Sequence, residues 1–181
     1  MTLLQLAVFQ GRLDVVKYLA SKKDADITVT TRCKENLLHL AARSRNIAVM
    51  KYLIEDMNML AHINEVEDAY HTPAMVLAME GPDRTAMYYN KKDERVKIYS
   101  SEDQKKSASI LRYLVDKRNA SIASVDLYKC NIAELAHRAN NYVMYKYLTG
   151  EKGFANASQF DRDNVDFFIQ CPYCCWSPPR Y

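Results

Sequence analysis

The stretch Asn36-Leu37-Leu38-His39-Leu40-Ala41-Ala42-Arg43-Ser44-Arg45-Asn46-Ile47-Ala48-Val49-Met50-Lys51-Tyr52-Leu53 decides the fold. Its apolar residues fall at helical spacing twice, in LLHLAA and again in VMKYLI, and Arg45 and Asn46 interrupt the pattern between them. The stretch reads as two short helices joined by a turn. Asn36 stands where its side-chain oxygen can cap the first of them.

Working outward, the rest of the chain repeats this unit. Basic-Tyr-Leu occurs four times, at Lys17-Tyr18-Leu19, Lys51-Tyr52-Leu53, Arg112-Tyr113-Leu114 and Lys146-Tyr147-Leu148, with the leucines 34, 61 and 34 residues apart. Seventeen residues before three of these leucines, a Thr or Asn opens an apolar run: Thr2-LLQLA, Asn36-LLHLAA and Asn131-IAELA. The remaining copy opens at Thr72, and its leucine follows 42 residues later, so it carries an insert of 25 residues. A fixed period of this length is the mark of a solenoid, in which each unit buries its apolar face against its neighbours.

These residues resemble the ankyrin repeat, whose pattern runs T-P-L-H-L-A-A-x-x-G, then a second helix ending V-V-x-L-L, then a finger A-D-V-N-x-x-D-x-x-G-x-T. His39-Leu40-Ala41-Ala42 and Thr72-Pro73 match its first helix, and Gly11-Arg12-Leu13-Asp14-Val15-Val16 its second. The resemblance covers about residues 2–148. It implies an all-α ankyrin-repeat solenoid with units at about 2–33, 34–68, 69–124 and 125–148, the third holding the insert at 82–106, followed by a cap and tail over 149–181. Small Ala7, Ala41, Ala42 and Ala136 would let helices approach closely, and Leu6, Leu40, Val76, Leu135, Val15, Val49, Ile110 and Met144 would stack into one core. Lys34, Tyr70 and Lys129 stand where the family's finger has its turn glycine, so the fingers are expected to be strained, shorter or irregular.

The ends and the insert are less regular. Leu3, Leu4 and Leu6 are expected at an uncovered edge, to be met by further repeats or another subunit, or else to fray. Pro82 to Lys106 mixes both charges with Tyr88, Tyr89 and Tyr99, and reads as a loop or an extension of the flanking helices, with a partner-specific protrusion as the alternative. Asp161 to Gln170 could form a capping helix.

The resemblance implies a protein-protein interaction module or adaptor rather than an enzyme, with no cofactor. Fingers and first helices would line a concave face that chooses a protein partner. Carried over by position, its contact residues are Phe9, Gln10, Arg43, Ser44, Met79, Glu80, Arg138 and Ala139 on the helices. On the fingers they are Arg32, Cys33, Glu35, Asp68, Ala69, His71, Leu127, Tyr128 and Cys130. His39 takes the family's structural position, tying its helix to a neighbouring finger. The second reading is a structural subunit or fragment of a larger assembly, held through the open first unit and the tail.

Composition agrees with a binding module. A net charge of +3 against 25 basic and 22 acidic side chains points to neither nucleic acid nor a membrane surface. No apolar run approaches the ~20 residues of a membrane span, and with four glycines the chain lacks the material for a phosphate loop. The five cysteines, Cys33, Cys130, Cys171, Cys174 and Cys175, are odd in number and irregular, so reduced thiols in the cytoplasm are expected. Cys171-Pro-Tyr-Cys174 with Cys175 leaves a remote alternative of a zinc or redox role, but no second ligand pair is near and prolines follow.

Overall fold

The computed structural model describes residues 1–22, 26–79, 87–89, 95–97, 101–139 and 141–153. The expected capping helix at 161–170, Glu80, and Cys171, Cys174 and Cys175 lie outside them.

Each unit opens with a side-chain cap. Thr2 Oγ1 accepts the Gln5 amide at 3.2 Å while Gln5 Oε1 accepts the Thr2 amide at 2.7 Å, starting α1 (Leu3–Phe9). Asn36 Oδ1 accepts the amides of Leu38 and His39 at the start of α3 (Leu37–Ser44), and Asn131 does the same for Ala133 and Glu134 before α7 (Ile132–Arg138). Thr72 serves α5 (Pro73–Met79), where Pro73 occupies a first-turn position that needs no amide donor. The second helices are α2 (Leu13–Ala20), α4 (Ile47–Glu55), α6 (Ser101–Arg112) and α8 (Tyr142–Lys146). The last two continue as π-helical turns, Tyr113–Lys117 and Tyr147–Glu151, both beginning at the tyrosine of the basic-Tyr-Leu motif.

The first helices stack in the order α1, α3, α5, α7, and the second helices in the order α2, α4, α6, α8. Between the rows runs one apolar core, in which Leu40, Val76, Leu135, Val49, Ile110 and Met144 are all buried, and Ala7, Ala41, Ala42 and Ala136 sit at the close approaches. Leu6 and Val15 depart from the expected stack. Leu6 is 39% exposed and Val15 half-buried, because among the described residues no helix pair covers the outer side of α1 and α2. Leu4, expected at that open edge, is instead buried. It shares a face with Ala7 and Val8, three and four residues on, whereas Leu3, Leu6 and Gln10 turn away from the stack.

The insert adds a feature that the all-α expectation lacked. Strands β1 (Met87–Tyr89) and β2 (Arg95–Lys97) pair antiparallel, with Met87 opposite Lys97, Tyr88 opposite Val96 and Tyr89 opposite Arg95. Aromatic and β-branched residues favour such pairing. From Ser101 onward the insert lengthens α6 instead, so residues 101–106 are helical.

Candidate partner-binding face

Three fingers share one backbone plan. In each, the first residue's amide donates to the carbonyl of the fifth: Thr31 to Glu35 at 2.9 Å, Glu67 to His71 at 3.2 Å, Asp126 to Cys130 at 3.0 Å. The fourth residue, Lys34, Tyr70 or Lys129, donates back to the first and holds φ of 60°, 65° and 64°. The expected irregularity does not occur: the turn keeps glycine's conformation with a side chain in place, which costs roughly 1–2 kcal/mol of local strain at each.

What holds these turns is the first residue's side chain. Thr31 Oγ1 accepts the Glu35 amide at 3.2 Å. Glu67 accepts the amides of Ala69 and His71 and also the His71 ring nitrogen Nδ1 at 2.6 Å. Burial would raise the Glu67 carboxyl, but these donors outweigh it and hold the group below its ordinary range. Asp126 Oδ1 accepts the amides of Tyr128 and Cys130 at 2.9 and 2.8 Å. His71 is thus clasped between two acids, with Nε2 3.6 Å from Asp126 Oδ2.

The fingers are bound to one another and to the first helices. The Asp68 amide donates to the Cys33 carbonyl at 3.1 Å, the Leu127 amide to the Ala69 carbonyl at 3.1 Å, and Lys34 Nζ reaches Asp68 Oδ1 at 3.0 Å. His39 Nε2 donates to the His71 carbonyl at 3.0 Å, leaving Nδ1 to accept the Asn36 amide. Burial pushes the His39 ring below its ordinary pKa, favouring this neutral form. Arg43 Nε donates to Glu35 Oε1 at 2.6 Å, tying the end of α3 to the first finger.

This rigid base presents apolar groups to solvent. Val66, Tyr70, Val125, Leu127 and Tyr128, all on the second and third fingers, are 40–54% exposed. Of the expected contact residues, Gln10, Arg32, Asp68, Leu127, Tyr128 and Arg138 are exposed, and Phe9, Glu35, Arg43, Ser44, Ala69, Met79 and Ala139 half-buried. Cys33, His71 and Cys130 are buried. Each faces inward as finger structure, Cys130 as a free thiol raised in pKa by burial. Arg43 is committed to Glu35, which makes it part of the scaffold. Tyr70, Val66 and Val125 were missed in the sequence, although the glycine position held by Tyr70 marks a turn tip, from which a side chain must project.

Stacked helix pairs with hydrogen-bonded fingers define a repeat scaffold. Residues 4–90 match the family model for ankyrin repeats in three copies, so this part of the chain belongs to the ankyrin repeats, and the same architecture continues through α8. Protein lin-12 of Caenorhabditis elegans is 30% identical over 154 residues, 84% of this chain and 10% of that protein, so the chain spans about a tenth of the relative's length. A chain in the crystal structure of the yeast ribosomal protein Rps3 with its chaperone Yar1 aligns with a TM-score of 0.61 at 14% identity, covering 86% of this chain and 94% of that one. That likeness is one of fold. Ankyrin repeats are generally protein-interaction modules. Among the described residues no helix is long and apolar enough to cross a membrane.

Proposed function

We propose that the chain is an adaptor that binds a protein partner along the face formed by its fingers and first helices. The observation that carries this reading is the row of exposed apolar side chains, Val66, Tyr70, Val125, Leu127 and Tyr128, on fingers locked together by backbone hydrogen bonds. A rigid aromatic and aliphatic centre suits protein recognition because little side-chain entropy is lost on binding. Arg32, Lys34, Asp68 and Arg138, with Gln10 toward the first unit, supply a polar rim that would set orientation. A cytoplasmic setting has the free thiol of Cys130 in its favour.

The test is affinity capture with the chain as bait, compared with a Tyr70→Asp/Leu127→Asp variant of unchanged circular dichroism and melting temperature. The reading expects the variant to lose a specific partner by at least tenfold in affinity. Undiminished binding of every captured protein by the folded variant would overturn it. The second reading, a subunit of a larger assembly, is favoured by the exposure of Leu3 and Leu6 on the open edge of the first unit.

A further inference from the structure

The basic-Tyr-Leu motif builds a polar ladder along the second helices, one rung at each junction between units. At the first junction Lys17 lies 5.4 Å from the Tyr52 ring centre. At the second, Lys51 of the preceding unit lies 5.5 Å from the Tyr113 ring, and Tyr113 donates its hydroxyl to Glu55, also of the preceding unit, at 2.9 Å. At the third, Arg112 lies 4.2 Å from the Tyr147 ring, and the Tyr147 hydroxyl donates to Asp116 at 3.0 Å. The donor unit thus presents a basic residue and, one helical turn later, an acid: Lys51 with Glu55, Arg112 with Asp116. Ser21 stands at the acid's position in the first unit, and the Tyr52 rung accordingly has the cation alone.

At the second and third junctions the receiving unit contributes a second cation, five residues after its own tyrosine. Arg118 lies 5.3 Å from the Tyr113 ring and also pairs with Glu55; Lys152 lies 5.5 Å from the Tyr147 ring and 2.5 Å from Asp116. The first unit has a related receiving half, with its cation four residues after the tyrosine rather than five. Lys22 lies 4.4 Å from the Tyr18 ring, yet Tyr18 is 62% exposed where Tyr113 and Tyr147 are 9% and 2% exposed. Beside it, Leu3, Leu6, Val15 and Leu19 line an open recess of about 270 Å³.

We propose that the outer side of α1 and α2 is a docking surface for another ankyrin-type helix pair, whose second helix sets a basic residue against the Tyr18 ring and an acid, one turn later, against the Tyr18 hydroxyl and Lys22. Continuity with the internal junctions and the charge complement of Lys22 select this occupant; an apolar helix without that pair would leave both polar groups covered and unsatisfied. The inference deepens the assembly reading and is independent of the finger face.

The probe is a copy of residues 36–71 placed directly ahead of Thr2 in the full chain. This spacing reproduces the junction between Asn36 and Thr72, so the copied Lys51 and Glu55 fall opposite Tyr18, with Lys22 one residue before the position that Arg118 takes at the internal junction. A single unfolding transition is expected, with a midpoint at least ~4 °C above the parent's. Reversing both charges, Lys51→Glu and Glu55→Lys within the copy only, should remove most of that rise. Tyr18→Ala/Lys22→Ala should leave the parent's midpoint unchanged and lower only the extended chain's. Nitration at native temperature, followed by mass spectrometry, gives a second readout that needs no unfolding transition: Tyr18 should be protected in the extended chain and reactive in the parent. Equal reactivity in both chains, or a rise indifferent to the charge reversal, would overturn the proposal. So would self-association of the parent that is abolished by Tyr18→Ala, since the occupant would then be a second copy of the chain. Each outcome can be read while the Tyr70→Asp/Leu127→Asp variant keeps or loses its partner, so the two readings fail separately.

Discussion

Lys34, Tyr70 and Lys129 hold a backbone conformation that L-residues adopt at a cost, and the fingers accept that cost three times in one register. Glu67 and Asp126 explain why: their carboxylates take backbone amides on both sides of the turn and leave it no alternative shape. Lys129 is the simplest place to measure the strain, because it is exposed and the hydrogen bonds of its turn are backbone or belong to Asp126. Glycine there relieves roughly 1–2 kcal/mol of crowding and gives back about 0.5–1 kcal/mol in unfolded-chain entropy. Lys129→Gly should therefore stabilise the protein by about 0.5–1 kcal/mol in chemical denaturation. A loss of stability would show that the lysine side chain contributes more than its backbone costs. Gly11, with φ +69°, is the converse: a Cβ there would meet Asn46 Cβ at 3.2 Å, beside the bond from Asn46 Nδ2 to the Gly11 carbonyl.

At the scale of elements, the central joint is α3 with the second finger, made by His39. Its ring is fully buried and pKa-lowered by that burial, with Glu35, Glu67 and the His71 carbonyl pulling weakly the other way. A folded-state pKa below the ordinary 6.5 means that the unfolded chain binds more protons in the interval between the two values. The neutral ring's contribution is thus complete above about pH 6.5 and is lost as pH falls through the lower, folded-state value. His39→Gln, which can still donate to the His71 carbonyl, should flatten that acid limb in stability measured from pH 8 to pH 5. An unchanged slope would place the acid sensitivity elsewhere, Glu67 being next in line at lower pH. His39→Ala, leaving the Asn36 amide unpaired and the His71 carbonyl with the Glu67 amide alone, should cost about 2–3 kcal/mol.

The elements differ in how much of them the sequence discloses. Asn36, Thr72 and Asn131 betray the helix starts because capping is local chemistry, and His39 is legible as a tie because its helix and finger recur at fixed spacing. The finger-to-finger bonds of Asp68 and Leu127 are backbone to backbone and leave no side-chain signature. The β1–β2 pair was hidden for the opposite reason: three-residue strands depend on a partner eight residues or so away, not on their own pattern. The recurring tyrosines were visible as a row, but the acids that receive Tyr113 and Tyr147 belong to the unit before. Only the stacked structure brings Glu55 and Asp116 to them.

For the molecule as a whole, stability is distributed as a sum of units and junctions, so the same substitution should weigh differently along the stack. Leu6 and Leu40 occupy the same position in the first helices of successive units, the one 39% exposed and the other 2% exposed. Leu40→Ala opens a cavity between α3 and its neighbours on both sides and should cost about 3–4 kcal/mol. Leu6→Ala removes a side chain already in contact with water on the open side of α1, and should cost under about 1 kcal/mol. Urea unfolding of the two variants gives the comparison directly, and hydrogen exchange should find α1 and α2 opening at lower free energy than α3 and α4. Equal losses at the two positions would mean that the outer side of α1 is covered in solution. The ranking would then be restored by Tyr18→Ala if the cover is held through the Tyr18 and Lys22 rung, and would be indifferent to it if the cover is held by the apolar recess alone.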